Sequence, residues 1–345
     1  MKNLKELILR GVCVVLGTVF LFISGPQTTQ ARVYNIKFQM AWHTQHPEYK
    51  AYQKFIKMVE KRSKGKITFT LFPSSQLVSR KEALSALKNG IINMLASCGA
   101  YYHGMVPEGD VDWLPYVSID RAKFWHLMND PGSEFYNIVH NAYLRKANAV
   151  LLTTVICGSE VIIGRDHIEF KTLEDLKNKK IRAAGGVATR VVLALGANPV
   201  TIATGEIYPA LQRGTVDGIV FPVYGFKDYR FFEVAKTYTL PPLYNWNDDL
   251  WINKTYFHSL PKDLQKILKE TAHEWGKWAS IVYWPNYAKQ IQRWAKKKGV
   301  IELHFPPNEV ERIKHVVVPV SEWYSKESPD CKKLIEILRQ KDFIK

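Results

Sequence analysis

Residues 180–221 read KIRAAGGVATRVVLALGANPVTIATGEIYPALQRGTVDGIVF, and this stretch decides the fold class. Positions 180–184 read as a strand, 188–195 as a helix, 198–202 as a second strand, 205–213 as a helix closed by Gly214, and 217–221 as a third strand ending in an aromatic ring. Strand, helix, strand, helix, strand is the rhythm of a mostly parallel sheet with helices on its faces. Working outward, the same rhythm opens the chain. Residues 33–40 alternate apolar and polar as a half-buried strand does, and run into a polar loop, 41–47, that holds Trp42, His43 and His46. Residues 48–62 place Tyr52, Phe55, Ile56 and Val59 at helical spacing, 67–73 form a β-branched and aromatic strand, 79–89 a helix between Ser79 and Gly90, and 91–96 a buried strand. With a β-branched run at 149–156 and a short capped helix at 172–178, two βα-rich blocks flank Cys157-Gly158.

From Leu260 the pattern turns helical. Residues 261–298 carry an apolar stripe through Leu264, Leu268, Ala272, Trp275 and Val282, which predicts a long helix interrupted or kinked at Pro285. Trp275 and Trp278, at helical spacing, are expected in the core. A helix over 307–325 and a basic tail from Lys332 complete the reading.

The first 31 residues differ from the rest. Lys2, Lys5 and Arg10 precede an apolar run over 11–25, and Thr29-Gln30-Ala31 offers small residues for cleavage, which together describe a secretory leader cut after Ala31. The run is shorter than the roughly 20 apolar residues a spanning helix needs. Beyond the leader, Cys98, Cys157 and Cys331 remain. Three thiols in an exported chain leave disulfides a minor support, and Cys98 and Cys157 read as buried apolar thiols. The net charge of +16 is spread over solvated helix faces, such as Lys54, Lys57, Lys61 and Lys64, without any zinc-finger, basic-zipper or RNA-binding signature. Nucleic acid is therefore not an expected partner.

Catalytic signatures are missing from the sequence: no Gly-x-Ser-x-Gly elbow, no phosphate-binding loop and no His-Glu-x-x-His pair. His43, His46, Cys98 and His103 match no closed metal spacing, so no metal and no cofactor is expected, and the histidines read as ordinary loop residues. Arg182 stands apart. It ends a predicted strand just before Gly185-Gly186 and a helix, where parallel α/β sheets bind ligands, and its guanidinium can grip a carboxylate through two parallel hydrogen bonds. A binding protein without chemistry of its own leads; a secreted α/β enzyme acting on a small anion and a ligand sensor of the same fold are the alternatives.

Several motifs carry a resemblance. The loop Pro73-Ser74-Ser75-Gln76-Leu77, Leu87-Lys88-Asn89-Gly90, Leu114-Pro115-Tyr116, Lys180-Ile181-Arg182, Leu260-Pro261-Lys262-Asp263-Leu264-Gln265 and above all residues 205–218, GEIYPALQRGTVDG, resemble the DctP-type solute-binding proteins of tripartite ATP-independent periplasmic (TRAP) transporters. The resemblance implies an α/β, two-lobed periplasmic binding protein fold with hinge strands and a long lobe-bridging helix. It implies a signal peptide over 1–31, a first lobe of 32–157 plus about 246–285, and a second of 158–245 plus about 286–345. It further implies a monomer that carries a small organic carboxylate through the periplasm to TRAP permease subunits. Arg182 falls on the family's carboxylate-gripping arginine, Phe221 on a ligand-facing position, and Trp42 and Tyr101 on first-lobe loops that line the cleft. Tyr102, Trp246, His43, Asn247 and Glu160 complete the expected ligand-binding set. A second cleft arginine of some members aligns near Glu160, which argues against a dicarboxylate, and an acidic cation-holding residue of others aligns near Val220, which argues against a metal-bridged ligand. The aromatic residues of this set suggest an aromatic or apolar monocarboxylate.

Overall fold

The computed structural model describes residues 32–344, so the leader and its cleavage site lie outside the described residues. Nine strands, β1 (Tyr34–Met40), β2 (Ile67–Phe72), β3 (Met94–Ser97), β4 (Ala149–Arg165), β5 (Lys180–Ala183), β6 (Asn198–Thr201), β7 (Gly218–Pro222), β8 (Ala235–Asn253) and β9 (Ile301–His304), join in one sheet. Its order is β2-β1-β3-β8-β4-β7-β5-β6, with β9 beside β8. In the first wing β1 runs parallel to both β2 and β3; in the second β5 runs parallel to β6 and β7. The predicted βαβ blocks are these two wings.

What joins the wings is a pair of unusually long strands. β4 has 17 residues and β8 has 19, about three times an ordinary strand. The first half of β4 meets the end of β8, where Ala149 faces Asn253, and its second half meets the beginning, where Arg165 faces Ala235. β3 pairs with one end of β8, while β7 pairs with the far half of β4, Glu160 to Gly164. The two strands therefore pass from one wing to the other, and the result is a two-lobed α/β fold. Register slips between Ile156 and Ser159 and again between Glu160 and Ile162 mark the crossing.

The sequence foreshadows only half of this pair. The β-branched run at 149–156 continues as strand to Arg165, almost wholly buried. β8 carries no strand signature, because Pro241-Pro242 and Asn245, Asn247, Asp248 and Asp249 belong to residue types that strands disfavour. Several of its polar groups find partners far along the chain: Tyr52 Oη donates to Asp248 Oδ2 at 2.8 Å, and Thr154 Oγ1 to Asp249 Oδ1 at 2.5 Å.

The long helix also departs from expectation. It runs without a break as α-helix Lys262–Trp278, a π turn Ala279–Tyr283 and α-helix Trp284–Lys297. The wide turn ends just before Pro285, which then occupies the first turn of the last segment, so the missing N–H and the ring are accommodated without a broken helix. The leading segment packs on helix Pro47–Arg62 and on β4, where Gly276 lies so close to Thr153 that a Cβ there would collide with it; the trailing segment packs on helix Gly225–Asp228 and on β9. Trp275 is fully buried and its Nε1–H donates to Ala51 O at 2.9 Å, whereas Trp278 is half-buried under Lys54.

The C-terminal reading needs two corrections. The helix expected over 307–325 is two, Pro307–Val316 and Val318–Ser325, with Pro319 opening the second. The basic tail is also a helix, Pro329–Gln340, capped by Ser328 and burying Cys331, Leu334, Ile335, Ile337 and Leu338, while its lysines face water. The first of these helices is bound to the second wing, through Arg312 to Glu174 and through Leu173 N–H to Glu309. The last docks beside the first wing, against helix Glu134–Lys146, through Arg145 to Asp330 at 2.7 Å and Ser328 Oγ to Glu108 at 2.8 Å.

At the crossing, Ile156 N–H donates to Ser280 Oγ in the π turn at 2.9 Å, and Ile156 O accepts from Arg121 Nη1 at 2.8 Å. Ser280→Ala leaves a buried N–H without its partner, so urea unfolding is expected to show a loss of about 1–3 kcal/mol; a loss below the scatter of surface substitutions would show that the strand does not depend on this bond.

Candidate functional site

The carboxyl ends of β1, β3, β5 and β7 deliver their following residues to one place, as parallel α/β sheets do. After β1, the loop 41–46 brings Trp42, His43 and His46. His46 caps helix Pro47–Arg62 by accepting Glu48 N–H on Nδ1 at 3.1 Å, the ordinary remedy for an orphan helix donor. The Trp42 ring stacks on His46 with centroids 4.8 Å apart and meets Trp246 of β8 edge-on at 5.0 Å. Trp246 Nε1–H donates to Cys98 Sγ at 2.7 Å, so this thiol is a hydrogen-bond acceptor in the cluster as well as a small apolar filler.

From the other wing come Arg182 on β5 and Phe221 at the end of β7. Phe221 packs edge-on against Tyr224, Tyr229 and Phe231, with centroids 5.3 to 5.6 Å apart. Tyr224 continues the aromatic surface to His46 at 5.4 Å, Trp246 at 6.0 Å and Trp284 at 5.7 Å. Arg182 is 3 % exposed. Its Nε–H donates to Ile202 O at 3.1 Å, and its guanidinium carbon lies 5.7 Å from the Phe221 ring centroid.

A second guanidinium, Arg80, arrives from the first wing. It lies 4.6 Å from the Trp42 ring centroid and 4.9 Å from that of Tyr101. It donates to Tyr101 Oη at 3.0 Å, Ala41 O at 3.2 Å and, across the wings, to Thr204 Oγ1 at 3.4 Å. Arg80 was not singled out in the sequence, nor were Tyr224 and Tyr229, and His46 was read as an ordinary loop residue. Their signal was positional only: Arg80 follows the Ser79 that opens a predicted helix, and Tyr224 and Tyr229 follow the strand that ends at Phe221.

Of the expected set, Arg182, Phe221, Trp42, Tyr101 and Trp246 come together here, and His43 sits at the margin, 5.6 Å from His46 and 6.2 Å from Tyr229. Tyr102 turns its ring onto Trp251 at 5.8 Å, and Asn247 donates to the carbonyls of Asp112 and Asn245, so both hold the surrounding framework. Glu160 is 4 % exposed, and its Oε2 has no hydrogen-bond partner. Burial pushes the carboxyl up to about 8, against the opposing pull of Arg182. Beneath the cluster, Glu48 and Asp248 form a buried acidic pair whose values are also raised by burial.

Two cavities border these elements. One of about 210 Å³ touches the cluster through Tyr224 and Trp284. A wider groove of about 900 Å³ lies between Tyr116, Ile119, His315, Val318, Arg339 and Phe343 and shares no residue with the cluster, so its size does not make it the site.

The model of the bacterial extracellular solute-binding protein family 7, DctP, matches residues 38–327. A solute-binding protein of Albidiferax ferrireducens is 29% identical over 231 residues, 65% of this chain and 66% of the relative. The C4-dicarboxylate-binding periplasmic protein DctP of Rhodobacter capsulatus is 26% identical over 280 residues, 78% of this chain and 79% of that one. Among solved structures, a TRAP periplasmic solute-binding protein from Desulfovibrio salexigens with bound orotic acid superposes with a TM-score of 0.81 at 23% identity, covering 89% of this chain and 98% of that chain. The chain belongs to this family of TRAP solute-binding proteins. Among the described residues no helix is long and apolar enough to cross a membrane.

Because Glu160 takes up its proton more readily folded than unfolded, its stabilising contribution is complete below about pH 4.5 and is lost as the pH rises toward about 8. Glu160→Gln is expected to give a shallower fall of Tm between those limits and a higher Tm at pH 8; parallel profiles for the two proteins would contradict the burial of an unpaired carboxyl.

Proposed function

We propose that the protein captures a small organic monocarboxylate with an aromatic or apolar body in the periplasm, holds it between the wings and delivers it to TRAP permease subunits without chemistry of its own. The observation that carries this reading is Arg182: a buried guanidinium held at Nε by Ile202 O, lying against the Phe221 ring in a largely aromatic cluster. Such a group offers a planar fork of N–H donors to a carboxylate, and in low dielectric it discriminates sharply for charge and shape. Phe221, Tyr224, Tyr229, Trp42 and Trp246 would face the body of the ligand. Solved relatives carry bound orotic acid, β-D-galacturonate and β-D-glucuronate, which are carboxylates, and one carries sn-glycerol-3-phosphate, which supports an anionic group as the handle and leaves the choice of a carboxylate to Arg182.

The lobe boundary near 157–158 is part of the same proposal. It is supported by the register slip between Ile156 and Ser159, with β3 pairing β8 at 249–252 on one side of it and β7 pairing β4 at 160–164 on the other. Closure of one wing on the other, with Arg80 reaching Thr204, would then shield the bound acid from water. The chain is proposed to act as a monomer after removal of its leader.

Isothermal titration against benzoate, orotate, galacturonate and succinate tests the reading. Wild-type protein is expected to bind an aromatic monocarboxylate more tightly than succinate, and Arg182→Ala to weaken that binding by about a hundredfold through loss of two charge-assisted hydrogen bonds. Unchanged affinity in the variant would remove Arg182 from the role assigned to it.

A further inference from the structure

His46 is fully buried, yet its Nε2 has no hydrogen-bond partner among the described residues. Its other ring nitrogen is committed. Glu48 N–H can only donate, so Nδ1 must present its lone pair to it, and a neutral imidazole then carries its single proton on Nε2. Charging the ring is opposed first by burial and then by the titratable and charged groups that face it, the His43 imidazole, Arg80 from the loop beyond β2 and Lys50 on its own segment. The remaining neighbours, Trp42 stacked at 4.8 Å, Tyr224 at 5.4 Å and Tyr229 at 6.1 Å, are aromatic rings of the ligand cluster. The ring's position is therefore fixed by its cap bond and by packing, and its proton is fixed on a single buried atom within the aromatic cluster. A buried donor without an acceptor is costly enough that native proteins seldom keep one without a use.

We propose that His46 is a specificity-determining ligand contact, whose Nε2–H donates to an uncharged oxygen of the bound acid, a hydroxyl or a carbonyl, distinct from the carboxylate. This rests on the carboxylate-binding reading and narrows it. Among the described residues no hydrogen bond or ring contact joins His46 directly to Arg182; Tyr224, Tyr229 and Phe221 stand between them. The two groups thus address different parts of one molecule. The ligand class becomes a cyclic or aromatic monocarboxylate bearing at least one hydroxyl or oxo group, because an unsubstituted ring would leave the imidazole donor buried and unpaired. Sites of this kind reject analogues that lack the polar group far more strongly than analogues that differ only in size.

Two measurements on the full mature chain test this. The first needs no ligand: in protein labelled with 15N-histidine, long-range 15N–1H correlation is expected to show His46 with Nε2 protonated and Nδ1 bare throughout pH 6–8. An Nδ1–H tautomer or an imidazolium at pH 7 would overturn the proposal. The second is titration with benzoate, 3-hydroxybenzoate and orotate. Wild-type protein is expected to favour at least one of the two oxygenated probes over benzoate by tenfold or more. His46→Asn keeps an acceptor for Glu48 N–H but removes the Nε2 donor, and is expected to bring the favoured probe down to the affinity of benzoate; His46→Ala, which also loses the cap, should show the same loss of preference with a lower Tm. Persistence of the preference in His46→Asn would overturn the assignment. Arg182→Ala separates the two readings, since it should weaken all three probes alike, and failure to do so would count against the carboxylate grip rather than against His46.

Discussion

The antiparallel pairing of β4 with β8 is the constraint on which the rest depends. Each strand belongs to both wings, so neither wing can complete its sheet alone. Long strands that twist and slip in register do not carry a rigid ladder across the crossing. The backbone groups at that point need partners, and they find them in side chains: Ser280 for Ile156 N–H and Arg121 for Ile156 O. Arg121 also reaches Asn245 Oδ1 on β8 at 3.2 Å, tying both strands together beside the slip. The π turn in the bridging helix fits this arrangement, for it holds Ser280 against β4 while the helix continues onto the second wing.

The same crossing explains why so many buried acids are tolerated. Asp248 and Asp249 lie on β8 on the first-wing side of the crossing, where Asp249 faces Ser97 of β3 and Tyr52, Thr154 and Tyr143 donate to the two carboxyls. Desolvation raises both carboxyls, and Thr154 and Tyr143 partly offset it at Asp249. Together with Glu48 and Glu160 they give the space behind the aromatic cluster a set of groups whose charge is set by burial rather than by bulk pH. The chain as a whole carries a net charge of +16, whereas the interior behind the aromatic cluster holds acids whose protonated form burial favours.

How much of this was legible in the sequence follows from which signals are local. The βα wings were readable because alternation, helical spacing and capping residues such as Gly90 and Gly214 act within a few positions. The place of Arg182 near a strand end was readable because the short run Lys180-Ile181-Arg182 stops just before two glycines. β8 was not, since Asp, Asn and Pro are tolerated there only through partners that lie far along the chain, Tyr52 and Thr154 among them. His46 and Arg80 escaped for a related reason. An imidazole before Pro47-Glu48 reads as a loop residue, and only the folded chain shows Nδ1 taken by Glu48 N–H and the ring packed against Trp42, Tyr224 and Tyr229. The helical tail at 329–340 was obscured by its lysines, whose charge hid the apolar stripe of Cys331, Leu334, Ile335 and Leu338 beneath.

The C-terminal helices carry a mechanical consequence. Pro307–Val316 is fastened to the second wing and Pro329–Gln340 to the first, while Val318–Ser325 between them touches both, through Trp323 beneath Arg190 and through Tyr324 Oη on the carbonyls of Pro107 and Glu108. Only Lys326, Glu327 and Ser328 separate the last two helices, and three residues span at most about 10 Å. This segment is a strap with little slack: a wide swing of the wings would have to tear one fastening loose, whereas a small rotation could be taken up in the turn, so the hinge has a stop built into the end of its own chain.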